Sequence, residues 1–279
     1  MNYYDLITHL IGKLTNNYYF EDYVRVYPNG IIFNRWGLRK KFTDDNYKNY
    51  LNHTKFYKFT CQFVKNKNVI DLGCGSGYGC KILKNSDAKY ILGIDISKKA
   101  IKFAKKYYNQ YADFKILGLT NMEDLKDNSF EVSICSEVLE HLKEYNMVNI
   151  ALKEIKRITK RKGLIIFSTP NIELLSHHGF SFEEINNLFS NKFKKFCIFE
   201  NSLVPFDQNK KKWEKRLSKG DVGIIISEKI NLNETVLPNK DVEFKKGLNV
   251  KKYEFYDYLI DTTFFHNTHS WIIIAINDK

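Results

Sequence analysis

Residues 68–79, NVIDLGCGSGYG, decide the fold. A short apolar run, NVIDL, ends in Gly73, Gly75 and Gly77, and GYGCKILKNS then continues with helical spacing. Glycines at such a junction let the backbone turn tightly and let a ligand approach the main chain, at a helix N-terminus that favours negative charge. Downstream the same grammar repeats. YILGIDIS (90–97) reads as a second strand and KKAIKFAKKYYNQ as a helix. DFKILGLT is a third strand, and SFEVSICS a fourth. EVLEHL opens a helix that VNIALKEIKRITK continues or follows. GLIIFSTP is a fifth strand ended by Pro170, FSFEEINNLFSN a helix, and KFCIFEN a sixth strand. Alternation of this kind builds a parallel sheet covered on both faces, the α/β class. WIIIAIN (271–277) follows with no crossover helix before it, so this last strand is expected to be antiparallel.

The flanks break the pattern. In VRVYPNGIIF (24–33) apolar residues surround Pro28-Asn29-Gly30, which predicts a β-hairpin, and residues 45–64 read as helical. Residues 1–60 are thus expected to form an N-terminal cap of hairpin and helix on a domain spanning 61–279. Residues 202–266 interrupt the alternation as a C-terminal insertion, expected to project as a lid, with the apolar run DVGIIISEKI and the basic cluster NKKKWEKRLSKG. That cluster is either a solvated helix face or a clamp for an anionic acceptor. The chain's net charge of +12 favours an anionic partner, but no compact arginine-rich stripe accompanies it. Five scattered cysteines without a CxxC pair argue against a disulfide framework or a thiolate zinc site. No run of 18 apolar residues offers a membrane span, and MNYYDLITHLIGKL lacks a signal peptide's basic start, so a cytoplasmic protein is expected.

The acid after the loop narrows the ligand. The second strand ends in Asp95, 22 positions after Gly73, where a carboxylate can accept both hydroxyls of a ribose. Tyr78 stands where a dinucleotide fingerprint needs glycine, and Asp71 inside the turn suits a cation rather than a pyrophosphate. A ligand with a ribose, an amine and a sulfonium but no phosphate fits these residues: S-adenosylmethionine (SAM).

NVIDLGCGSGYG, GIDIS, NMEDLKDNSFEVSICSEVLEHL and GLIIFSTPN, in this order, resemble the class I SAM-dependent methyltransferases over roughly residues 50–200 plus the final strand. The resemblance implies a Rossmann-like seven-stranded sheet, six strands parallel and the last antiparallel, with helices on both faces. It implies that Asp71, Gly73, Gly75 and Gly77 hold the methionine end, that Asp95 takes the ribose and that Ile96 lies against the adenine. Asn121 and Met122 fall where the family contacts the adenine edge, although Asn121 replaces the usual Asp. Ser136 is expected to offer backbone contacts to the methionine amine. NHTKFY resembles a family helix that reaches the cofactor, which nominates His53 and Tyr57 against a packed-helix alternative. The product would be S-adenosylhomocysteine.

SICSEVLEHL (133–142) places Glu137, Glu140 and His141 at the active edge of the sheet. With a helix starting at 137 the three share one face. They could orient or deprotonate a hydroxyl acceptor, hold a divalent metal (Mg or Mn), or form a solvated helix start. ExxEH together with His178-Gly-Phe180-Ser-Phe182 resembles the Hen1-type RNA 2′-O-methyltransferases, which makes His178 a further catalytic or metal candidate. EVLEHL equally resembles metal-free methyltransferases acting on sugars and quinones, and HHGFSFEE also reads as a loop entering a helix capped by Ser181. His266 and His269, just before the last strand, are second-rank candidates.

The expected function is O-methylation of a polar or anionic small-molecule acceptor: a sugar, nucleotide-sugar or phosphorylated surface-glycan precursor, as in capsule polysaccharide biosynthesis. The alternatives are a Hen1-like metal-dependent methylation of RNA 3′ ends and a SAM-binding protein without catalysis. One test precedes all of these. Calorimetry should show binding of S-adenosylhomocysteine, and Asp95→Ala should abolish it; a wild type that binds none contradicts the cofactor assignment.

Overall fold

The computed structural model describes residues 25–26, 32–33, 45–172, 178–202, 224–229, 258–259 and 268–279. Strands β1 (Arg25–Val26) and β2 (Ile32–Phe33) pair antiparallel, as VRVYPNGIIF predicts. Helix α1 (Asp45–Thr60) runs into a 3-10 turn, Cys61–Phe63. The alternating stretch follows: β3 (Asn68–Leu72), α2 (Tyr78–Lys84), β4 (Tyr90–Asp95), α3 (Lys98–Tyr108), β5 (Asp113–Ile116) and β6 (Phe130–Ser136). Two helices, α4 (Leu139–Glu144) and α5 (Val148–Ile158), lead to β7 (Thr159–Pro170). Helix α6 (Phe182–Ser190), β8 (Phe196–Ser202), β9 (Ile224–Lys229), β10 (Tyr258–Leu259) and β11 (Thr268–Ile276) complete the described elements.

One sheet orders these strands β10-β9-β8-β11-β7-β6-β3-β4-β5. β3 to β8 run parallel, and β11 is inserted antiparallel between β7 and β8, pairing Ile273 with Phe167 on one side and with Ile198 on the other. These seven strands are the Rossmann-like sheet that the sequence predicts. The insertion adds two more. The apolar run at 224–229 pairs antiparallel with β8, covering an edge that would otherwise be open, and β10 pairs parallel to β9. The rest of the insertion, with its basic cluster and His266, lies outside the described residues, as do residues 1–24.

Residues alternate between the two faces with the period of two that strands impose. Val69, Val132, Ile134, Leu164, Ile166, Ile272 and Ile274 point to one face, under α1, α2 and α3. Ile70, Cys135, Ile165, Phe167, Trp271 and Ile273 point to the other, under α4, α5 and α6. Phe56, Tyr57 and Phe59 of α1 are buried in the first of these cores, so this part of the N-terminal cap packs on the sheet itself. The five cysteines are buried and unbridged, as their spacing predicts. Among the described residues no helix is long and apolar enough to cross a membrane.

α1 approaches α2 closely because Gly79 has no side chain. A Cβ there would lie 2.2 Å from Cζ of Tyr57. Replacing a helical glycine by alanine ordinarily stabilises by about 1 kcal/mol. Overpacking costs roughly 1–3 kcal/mol, and the aromatic ring here has no room to retreat. Gly79→Ala should therefore lower the urea unfolding midpoint. A raised midpoint would show that α1 yields.

Candidate active site

The carboxyl ends of β3, β4, β6 and β7 form one edge, and the glycine loop opens it. Gly73, Gly75 and Gly77 have φ of 78°, 51° and 90°, a region glycine enters without steric cost. Gly73 and Cys74 N–H donate to Ile94 O at 2.8 and 2.9 Å, which lays the loop across the end of β4. Asp95, 8% exposed, accepts from Gly75 N–H at 2.9 Å through Oδ2 and from Ser97 N–H at 2.8 Å through Oδ1. A carboxylate oxygen can accept a second bond, so ribose hydroxyls remain compatible with this arrangement. A Cβ at Gly73 would fall 2.4 Å from Val138 Cγ2; the loop thus lies against the segment that leads to the other site residues. The backbone cradle and its carboxylate fit SAM.

Asp71 lies beneath this loop and is fully buried. Tyr57 O–H donates to its two oxygens at 3.0 and 3.1 Å, and Cys80 Sγ lies 3.3 Å from Oδ2. Burial pushes the Asp71 carboxyl up to about 7, against the pull of these two donors. Tyr57 therefore supports Asp71 from inside the core. His53 Nδ1 lies 2.8 Å from Tyr78 O–H, on the helix that follows the loop. Of the residues expected on the adenine side, Ile96 is 45% exposed and Asn121 is exposed, whereas Met122 is fully buried. Both Met122 backbone groups are engaged: its N–H donates to Glu154 at 3.1 Å and its carbonyl accepts from Arg157 at 2.7 Å.

The acidic segment differs from its expected form. The helix begins at Leu139, not at 137, and Glu137 has φ 52°. The cause is the sheet. Glu137 N–H still donates to Ser168 O at 2.9 Å, so the chain leaves β7 only after this residue and must turn sharply to enter α4. Glu137 thus lies just past the last strand residue, Ser136, with Oε1 accepting from Ser168 O–H at 2.9 Å, and Ser168 also contacts Ser136 Oγ at 3.0 Å. Glu140, 2% exposed, accepts from Thr169 O–H at 2.9 Å. His178 comes from the β7–α6 loop, its ring centroid 4.6 Å from that of His141. One ligand atom from each of Glu140, His141 and His178 lies within 4.8 Å of the other two; Glu137 is not part of that cluster. Ser181 caps α6 with Glu184 in a reciprocal capping box, as the sequence suggests. His269 sits at the start of β11, whose Ser270 is opposite Pro170, so it lies on the same edge.

Burial dominates the electrostatics. It raises Glu137 to about 7, and it raises Glu140 with help from the Glu137 carboxylate beside it. It depresses His141 to about 4, reinforced by His178. Burial thus disfavours charge on both of these carboxyls and on the His141 imidazole.

Residues 70–167 match the family model described as a methyltransferase domain. The chain is 25% identical over 112 residues to a ubiquinone biosynthesis O-methyltransferase of Neisseria meningitidis, covering 39% of this chain and 46% of that protein. It is 31% identical over 117 residues to the Pelagibacter ubique protein of the same name, covering 41% and 46%. An uncharacterized protein of Methanocaldococcus jannaschii is 36% identical over 106 residues, 37% of each chain. The chain spans less than half the length of these curated relatives. A solved structure from Thermotoga maritima, described as a SAM-dependent methyltransferase and possible histamine N-methyltransferase, superposes with a TM-score of 0.53. It covers 85% of this chain and 96% of its own at 16% identity, which establishes the shared fold.

His141 gives the site a measurable pH signature. Its pKa is near 6.5 unfolded and about 4 folded, so between these values the unfolded chain binds a proton that the folded chain does not. This contribution is present above pH 6.5 and is lost as pH falls toward 4. Asp71 and Glu137 titrate in the opposite sense over part of the same window, so the difference between two proteins is the informative quantity. His141→Gln should lose roughly 2 kcal/mol less stability than wild type between pH 7.5 and 4.5 in urea titrations. Parallel curves would show that His141 titrates alike in the folded and unfolded chain, and diverging curves of the opposite sign that it is charged in the fold.

Proposed function

We propose that the chain is a SAM-dependent methyltransferase acting on a hydroxyl oxygen of a polar small-molecule acceptor. The carrying observation is a glycine loop with its Asp95 on the same sheet edge as Glu140, His141 and His178, within a stretch that matches a methyltransferase domain. Curated relatives named O-methyltransferases support oxygen as the receiving atom. Bound at the loop, SAM supplies a methyl carbon made electrophilic by a sulfonium. The chain contributes positioning, which dominates an in-line displacement. The glycine loop and Asp95 hold the nucleoside, with Ile96 and Asn121 on its adenine side. Asp71, carried by Tyr57, places a carboxyl behind the loop. Glu137 and Glu140 hydrogen-bond the acceptor, and an imidazole at this edge takes the hydroxyl proton.

The +12 charge supports an anionic acceptor such as a nucleotide-sugar or a phosphorylated glycan precursor. One observation favours a second reading, methylation of RNA 3′ ends with a divalent metal. Glu140, His141 and His178 bring two imidazoles and a carboxylate within 4.8 Å, a donor set that suits Mn²⁺ better than the oxygen-seeking Mg²⁺.

Label from methyl-labelled SAM should enter sugars, nucleotide-sugars or phenolic quinone precursors in the presence of a chelator. Label that enters RNA 3′ ends, and only when Mn²⁺ is added, replaces the first reading by the second. Label in neither class, under either condition, overturns both.

A further inference from the structure

The segment carrying His178 is held by two successive residues of α4 that sequence reasoning did not single out. Its neck is closed on itself: Phe180 N–H donates to Pro170 O at 3.0 Å and Ile172 N–H to Phe180 O at 3.2 Å. Trp271 Nε1–H donates to Phe180 O at 2.9 Å, which fixes the neck to β11. Gly179 makes the closure with φ 136°, and a Cβ there would lie 2.2 Å from Pro170 O. Lys143 reaches across from α4. Its ammonium donates to Gly179 O at 3.0 Å, pairs with Glu184 at 2.7 Å and lies 4.7 Å from the centre of the Phe180 ring. Glu144, the next residue, places Oε1 2.7 Å from His178 Nδ1. A carboxylate can only accept, so Nδ1 is the donor and carries the proton. In a neutral imidazole Nε2 then holds the lone pair.

We propose that Glu144 and Lys143 are positioning residues for His178. Glu144 fixes the tautomer that leaves Nε2 as the base, and Lys143 clamps the loop so that His178 stays beside His141. This rests on the methyl-transfer reading above. In the step itself, the acceptor oxygen forms its bond to the methyl carbon as the carbon–sulfur bond breaks, its electron pair staying on sulfur. The hydroxyl proton passes to His178 Nε2, and Glu144 balances the imidazolium that results.

Two-bond proton–nitrogen correlation spectra of the full chain, labelled with ¹⁵N in histidine, test this without an acceptor. The His178 signals are assigned by their loss in His178→Ala. At pH 8 the wild type should show a protonated Nδ1 and a bare Nε2. Glu144→Ala should abolish that preference, whereas Glu144→Gln, whose amide oxygen still accepts, should keep most of it. Lys143→Met should keep the tautomer but broaden the signals. With the acceptor from the labelling screen, Glu144→Ala should lower kcat tenfold or more and leave KM for SAM unchanged. A wild-type His178 protonated on Nε2, or a tautomer indifferent to Glu144→Ala and Glu144→Gln alike, overturns the proposal. Failure of the underlying reading is seen separately, as a wild type that binds no S-adenosylhomocysteine whatever its tautomer.

Discussion

The Asp95 carboxylate makes the site possible. One oxygen takes the N–H of Gly75 and the other that of Ser97, so a single side chain joins the loop after β3 to the turn after β4. Bonds from backbone N–H to a carboxylate are among the stronger ones a protein makes, of order 1.5–3 kcal/mol each. They hold a glycine-rich loop that would otherwise carry a large backbone entropy. With the loop fixed, the space that a side chain at Gly73 would take is filled by Val138, which leads into α4. The glycine loop and the acidic edge are thereby one connected unit, although nothing in their sequence separation suggests it.

The acidic edge obeys a second constraint, set by β7. Glu137 and Glu140 are anchored to consecutive residues of that strand, Ser168 and Thr169, by hydrogen bonds of 2.9 Å each. Two carboxyls held this way in a poorly solvated place cannot both ionise freely, and the resulting upward shifts store a demand for a positive partner or a hydroxyl donor. The imidazoles of His141 and His178 lie beside them on the same edge.

Much of this was legible in the chain itself. Strand periodicity, the glycines after NVIDL and the missing helix before WIIIAIN determine seven strands and the reversed last one. Gly73, Asp95, His141 and His178 were nominated from motif, spacing and resemblance, and the fold brings them to one sheet edge. What was not legible depends on contacts distant in sequence. The start of α4 was misplaced because Glu137 keeps a ladder bond to Ser168, 31 residues away, which no local propensity reveals. Met122 was nominated because it falls where the resembled family contacts the adenine edge, and such a match does not say that the side chain turns inward. Tyr57 was expected near the cofactor, but its direct partner is the buried Asp71. Glu144 carried a faint local signal, lying three and four residues after His141 and Glu140, yet only the tertiary fold makes it a partner of His178. Of the two strands that the insertion adds, β9 was hidden in an apolar run, DVGIIISEKI, that gives no hint of the edge it joins, and β10 is only the pair Tyr258–Leu259.

The position of β11 governs how the molecule must be made. It pairs with β7 on one side and β8 on the other, yet it begins 98 residues after β7 ends. Until it arrives, β7 and β8 have no partner between them, and the cavity that Trp271 fills stays open. Loop closure over such a distance is entropically slow, and unpaired strand borders invite pairing with other chains. A nascent chain of this protein therefore spends its synthesis with a gap in the middle of its sheet, a period in which a chaperone that covers exposed strands would protect it most.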